Sequence, residues 1–152
     1  MPIERARAIA ERAHRDQYEP SARPYIEHVR RVAASVPAQV ESVAWLHDVL
    51  EWTELTEDDP MLTGLAPRER GALLLLTRHG DDDDTRFLSH VSRIATAPGA
   101  AGDIARAVKR ADMEDRLRHP RAPEASWRPP YPLALALLAG GEDREKTKGT
   151  SK

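Results

Sequence analysis

Proline and glycine cut this chain into segments of helical length, 12 prolines and 8 glycines in all. Between the cuts, apolar residues recur at i, i+3, i+4 and i+7, the period of one buried helix face. Residues 3–17 carry Ile3, Ala6, Ala10, Ala13 and His14 on one side, and residues 18–23 form a polar loop around Pro20. Pro24 opens a second helix, where a missing N–H costs nothing. Tyr25, His28, Val29, Val32 and Val36 share its stripe, and Pro37 stops it. The third helix has Val40, Val43, Ala44, His47, Leu50 and Glu51 on one face. Residues 53–64 are acidic and turn-rich. A fourth helix starts at Pro67 and runs to Thr77, ended by Gly80 and four aspartates. A fifth spans residues 85–97, burying Phe87, Leu88, Val91, Ile94 and Ala95, and a sixth spans 101–117. Residues 120–130 are proline-rich and read as a surface loop. Pro132 opens a last apolar helix through Leu138, closed at Gly140-Gly141. No segment alternates like a strand. The expected fold class is an all-α helical bundle.

Composition narrows the function classes. A chain of 152 residues suits one domain, here residues 1–141. Residues 142–152 form a charged tail with nothing to bury and are expected to be disordered. The 23 basic and 25 acidic residues leave a net charge of -2, which predicts neither nucleic-acid binding nor membrane attraction. The absence of cysteine excludes disulfides, thiolate chemistry and Cys-ligated zinc. No apolar run approaches the roughly 20 residues of a membrane span, and no apolar signal core opens the chain. A cytoplasmic location is the expectation.

His47 and Glu51 sit where the third helix should be apolar, and Asp48 lies on the edge of that face. Burying such groups unpaired costs several kcal/mol. A divalent metal between them removes the penalty, because neutral imidazole and carboxylate are both good ligands. A simple Asp–His hydrogen bond explains the dipeptide equally well. The anomaly recurs on two other helices, however. His28 lies between Tyr25 and Val32, and Asp112 lies on the stripe of Ile104, Val108, Ala111 and Asp115. Two histidines and two aspartates on three apolar faces can hold one ion and leave room for water or substrate.

The order His28 … His47-Asp48 … Asp112 resembles the H…HD…D pattern of HD-domain metal-dependent phosphohydrolases. Further segments fall in that family's order: Ala13-His14-Arg15-Asp16-Gln17, Arg23-Pro24-Tyr25-Ile26-Glu27-His28, the stretch from His47 to Thr53, Leu76-Thr77-Arg78, and Val108-Lys109-Arg110-Ala111-Asp112. Together they cover about residues 5–118 and are most similar to the small stand-alone (p)ppGpp hydrolases of the RelA/SpoT hydrolase-domain type. The resemblance implies an all-α HD-domain-like bundle with a divalent ion, often manganese, between its helices. It implies His28, His47, Asp48 and Asp112 as ligands, and hydrolysis of a phosphorylated nucleotide, best matched by an alarmone 3'-pyrophosphohydrolase. Glu51 matches a position that orients or deprotonates the attacking water; a partner that fixes a histidine ligand is the alternative.

Three departures concern the substrate shell. Trp52 replaces an acidic residue, Arg116 replaces an asparagine, and Tyr18-Glu19 replaces a basic cluster that contacts substrate phosphates in the family. Arg116, Arg23 and Arg15 are candidate phosphate clamps, with surface salt bridges or backbone capping as the plainer reading. Trp52 can stack on a base, though helix packing is the simpler role. The changes leave open another phosphorylated substrate, or a degenerate member that binds metal or nucleotide without turnover. Asp81 to Asp84 lack the spacing of a calcium loop and suit a helix N-terminus. His79, His90 and His119 are expected at the surface.

Overall fold

The computed structural model describes residues 1–121 and 127–149. Eight α-helices follow in order: α1 (Ile3–Ala13), α2 (Ile26–Ala34), α3 (Glu41–Leu46), α4 (Val49–Trp52), α5 (Pro67–Leu76), α6 (Asp84–Thr96), α7 (Gly99–Arg118) and α8 (Tyr131–Gly149). Among the described residues no strand forms, and one isolated bridge, Tyr18 to Pro24, closes the loop between α1 and α2. The all-α expectation is met. No described helix is long and apolar enough to cross a membrane.

The 20-residue α7 is the axis of the fold, about 30 Å long at 1.5 Å per residue. It packs against α2, α5, α6 and α8, while α3 sits between α1 and α2. Val29, Val32, Leu46, Leu73, Ile94, Val108, Met113 and Leu138 are buried in one continuous core. The aspartate run acts locally: the Asp83 carboxylate accepts the Arg86 N–H at 2.8 Å and caps α6.

The structure corrects two helix boundaries. The third helix is not continuous; it breaks into α3 and α4 at His47 and Asp48. Nor does the last helix close at Gly140-Gly141. Neither glycine has the positive φ of a left-handed helix cap, and α8 runs on to Gly149, with Glu142 paired to Arg110 on α7. Residues 142–149 thus continue α8; residues 150–152 of the expected tail, like 122–126 of the proline-rich loop, lie outside the described residues.

Gly141 serves close approach instead. A Cβ there would stand 2.2 Å from the Ala95 carbonyl oxygen of α6, whereas one at Gly140 meets nothing within 4 Å. Gly141→Ala is therefore expected to destabilise the protein by roughly 1–3 kcal/mol through overpacking. Gly140→Ala is expected to be neutral or to stabilise by up to about 1 kcal/mol through helix propensity. Urea titration of both variants separates the two; equal midpoints would refute the close packing of α8 on α6.

His90 is also corrected, from surface to core. It is 2% exposed on the inner face of α6, and neither ring nitrogen has a hydrogen-bond partner. Burial pulls its pKa down to about 3, helped by Lys109, Arg93 and Arg78. Unfolded histidine titrates near 6.5. Between those values the unfolded chain takes up a proton that the native state refuses, so stability falls as pH drops from neutral toward 3. The slope reaches about 1.4 kcal/mol per pH unit for one proton. Unfolding free energies at pH 7 and pH 5 should differ less for His90→Leu than for the wild type; an unchanged difference would exclude His90 as the source.

Candidate metal centre

At the break between α3 and α4 the Ala44 carbonyl oxygen meets both the His47 main-chain N–H, at 3.5 Å, and the His47 ring. Its Nδ1 approaches the Ala44 carbonyl oxygen at 2.7 Å, the oxygen that an unbroken helix offers to the Asp48 N–H. The helix is interrupted here, and the adjacent side chains of His47 and Asp48 face one point, 3.0 Å apart, instead of diverging by the helical 100°. On α2, His28 Nδ1 meets Asp115 Oδ2 at 2.7 Å. Asp115 also accepts Arg31 Nε at 2.7 Å and Nη2 at 3.1 Å, which ties α2 to α7.

Each imidazole thus spends its Nδ1–H on an outer acceptor and turns Nε2 inward, the arrangement typical of a ligating histidine. Both Nε2 atoms are buried and lack a hydrogen-bond partner. His28 Nε2 lies 3.2 Å from Asp112 Oδ1 and 3.7 Å from Asp48 Oδ2. His47 Nε2 lies 3.0 Å from Asp48 Oδ2 and 3.8 Å from Asp112 Oδ1. One ligand atom each from His28, His47 and Asp112 falls within 4.8 Å of the others. Tetrahedral ligands about 2.1 Å from a metal stand roughly 3.4 Å apart, in the middle of the Nε2–oxygen range. The orphaned nitrogens and the carboxylate donors fit a divalent ion.

The electrostatics call for a cation at the same point. Burial works against charge on His47, yet Asp48 and then Asp112 outweigh it and raise its pKa to about 9. Burial pushes Asp48 up, but His47 pulls it well below the usual carboxylate range. Asp112 is likewise pushed up by burial and drawn down further by Lys109 and His28. Two carboxylates confined together favour a positive charge beside His47, the charge that a divalent ion would supply there.

A cleft of about 210 Å³ opens over this centre. On its floor the Tyr25 hydroxyl donates to Asp48 Oδ2 at 2.6 Å, and Lys109 Nζ donates to Asp112 Oδ2 at 2.9 Å. Glu51 Oε1 accepts the Arg78 main-chain N–H at 2.6 Å. Burial and then Asp48 raise the Glu51 pKa above the ordinary value, with the Arg78 bond opposing. Arg78, Lys109, Arg116 and Arg121 line the walls, as do Trp52, Phe87, Trp127 and Tyr131.

The structure brings His28, His47, Asp48, Asp112, Glu51 and Arg116 to this cleft. Arg15 and Arg23 are exposed and do not line it. Arg116 is buried, ion-paired with Glu19 and set 5.6 Å over the Tyr25 ring, but one terminal nitrogen, Nη2, has no partner. Trp52 is 40% exposed on the cleft wall rather than packed between helices, with the Arg121 guanidinium 5.5 Å from its ring. The sequence reading missed Lys109, Asp115 and Tyr25 as partners of the ligands, and Arg78, Arg121 and Trp127 as wall residues. Lys109 and Asp115 had a readable signal: each lies three residues from Asp112 and so on its helix face.

No known family model matches the sequence, and no curated protein does. Among solved structures, a metazoan ortholog of SpoT that hydrolyses ppGpp and plays a role in starvation responses aligns with a TM-score of 0.70. The alignment covers 91% of this chain and 84% of that one at 24% identity. The two chains share a fold.

Proposed function

We propose that this protein is an HD-type metal-dependent phosphohydrolase that removes the 3'-pyrophosphate of a (p)ppGpp-like nucleotide. One observation carries the reading: two buried imidazole nitrogens without hydrogen-bond partners face two carboxylates on the floor of a cationic cleft. The fold shared with a ppGpp hydrolase supports it. His28, His47, Asp48 and Asp112 would hold the ion, with manganese the choice that the family resemblance favours. When bound, the ion supplies a Lewis acid and a water of lowered pKa.

The chain's own groups account for the rest. Glu51, held by the Arg78 N–H, is the proton acceptor for the attacking water, and its raised pKa brings it closer to neutral. Lys109 fixes Asp112 and adds positive charge beside the phosphoryl group. Arg116 and Arg121 line the cleft, and their guanidiniums would supply the positive charge that draws phosphate oxygens in. Trp52 and Trp127 offer faces to a base.

A second reading, another phosphorylated nucleotide or metabolite, is favoured by Trp52 and Arg116, which depart from the alarmone pattern at the cleft itself. Manganese-loaded protein offered a nucleotide panel decides between them. Pyrophosphate released from ppGpp supports the first reading; release only from other nucleotides supports the second. Tight binding with no release across the panel would leave a binding protein and overturn both.

A further inference from the structure

Neither His14 nor Gln17 lines the cleft, yet both are tied to its wall. The Gln17 side chain stands between the end of α1 and the end of α4. Its Nε2 donates to the Trp52 carbonyl, and its Oε1 lies 2.7 Å from His14 Nδ1. A carbonyl only accepts, so the amide nitrogen faces Trp52 and the amide oxygen faces the histidine. Burial lowers the His14 pKa, and in the neutral ring the hydrogen is then on Nδ1 and Nε2 is a lone pair. That Nε2 is buried without a partner. An unpaired buried acceptor costs stability, so stability alone favours an apolar side chain at position 14.

What the pair holds is α4. This helix has four residues, Val49–Trp52, too few to satisfy its own terminal N–H and C=O groups. Its placement therefore depends on bonds from outside, and two come from other elements. The Arg78 N–H, beyond α5, reaches the Glu51 carboxylate at 2.6 Å. Gln17, beyond α1, reaches the Trp52 carbonyl. Glu51 is thus held at its side chain from one direction and, through the next peptide, at its main chain from another. The His14 Nδ1–H fixes the Gln17 amide in the orientation that lets it donate. The chain of contacts runs from His14 through Gln17 and the Trp52 carbonyl to Glu51.

We infer that His14 and Gln17 are positioning residues, which set the orientation of α4 and with it the place of the Glu51 carboxylate over the metal centre. Their effect on turnover rests on the hydrolase reading; the link itself is a property of the fold. A displacement of about 1 Å at a reacting group can cost about 100-fold in rate. Two residues outside the cleft can therefore govern turnover without touching the ion or the substrate.

The test uses Gln17→Met, His14→Leu and His14→Asn. Methionine matches glutamine in length, and the Tyr25 N–H keeps its 2.9 Å bond to the main-chain carbonyl of residue 17. In manganese-loaded protein, Gln17→Met should lower kcat about tenfold to a hundredfold, with KM and manganese affinity within about twofold. In a Glu51→Gln background the same change should cost less than about twofold, because the effect runs through Glu51. His14→Leu should lose kcat in the same way, and His14→Asn, whose amide can still donate to Gln17, should recover most of that loss. Hydrogen exchange of the metal-free protein reads the link without a substrate. The amides of residues 49–53 should exchange about fivefold faster or more in Gln17→Met and His14→Leu, with α5 and α7 unchanged. That change in a protein that turns over no nucleotide would keep the positioning role and reject the hydrolase reading. Unchanged exchange over α4, or an equal loss of kcat in both backgrounds, would overturn the positioning role and leave the hydrolase reading intact.

Discussion

A His47→Ala protein is expected to bind manganese more than about a hundredfold more weakly than the wild type. Removing an outer partner of a metal ligand already costs about 10–100-fold, and His47 is placed to be a ligand itself. The effect is readable without any substrate. Manganese at 100 times its Kd stabilises a native protein by about 2.7 kcal/mol. For a chain of 152 residues that corresponds to roughly 5–11 °C in Tm. The wild type should show this rise, and the variant should gain about 0.4 kcal/mol or less at the same manganese concentration. Folding should survive, because loss of the ring frees the Ala44 carbonyl for an ordinary helix bond from the Asp48 N–H. Circular dichroism of the metal-free variant checks this. A folded variant that still binds manganese with wild-type affinity would remove His47 from the ligand set, and hydrolysis that persisted in it would refute the metal-dependent scheme.

Glu51→Gln should act on turnover alone. General-base catalysis contributes about 10²–10⁴-fold, and that is the expected loss in kcat, with KM and manganese affinity nearly unchanged. Glutamine keeps an oxygen for the Arg78 N–H, so the anchor seen at 2.6 Å is retained. The pH profile separates catalysis from structure. Burial and Asp48 raise the Glu51 pKa, and only its ionised form accepts a proton. The wild-type rate should therefore climb as pH rises through that raised value, and the variant should lack this limb. A variant that retained both kcat and the limb would assign Glu51 to holding the Arg78 backbone.

Much of the ligand arrangement was legible because a polar residue on a 3.6-residue apolar stripe has few explanations. His28, His47 and Asp112 each stood out in this way, on helices whose boundaries proline and glycine marked. The break at His47 and Asp48 was not legible. Helical periodicity is blind to such a local departure, where the Ala44 carbonyl meets the His47 ring and main-chain N–H rather than the Asp48 N–H of an unbroken helix. Lys109 and Asp115 share the face of Asp112, but nothing in their spacing reveals that one meets the Asp112 carboxylate and the other the His28 imidazole. Arg121 and Trp127 belong to a proline-rich connection without period, so only the folded chain could place them on the cleft wall. His90 and Gly141 were misread for a common reason. A histidine without partners and a glycine inside a helix are both costly, and only tertiary packing overrides that cost.

The bond between His28 and Asp115 joins residues 87 positions apart. On a ribosome adding roughly 5–20 residues per second, that separation amounts to about 4–17 s. Throughout that interval His28 and Arg31 have emerged without the Asp115 carboxylate that orients them, and the candidate ligand set lacks Asp112. A nascent chain, or one truncated before α7, thus carries three of the four candidate ligands, His28, His47 and Asp48, without Asp112 or Asp115. On the proposed reading, a metal ion could be captured only late in synthesis, once α7 docks onto α2.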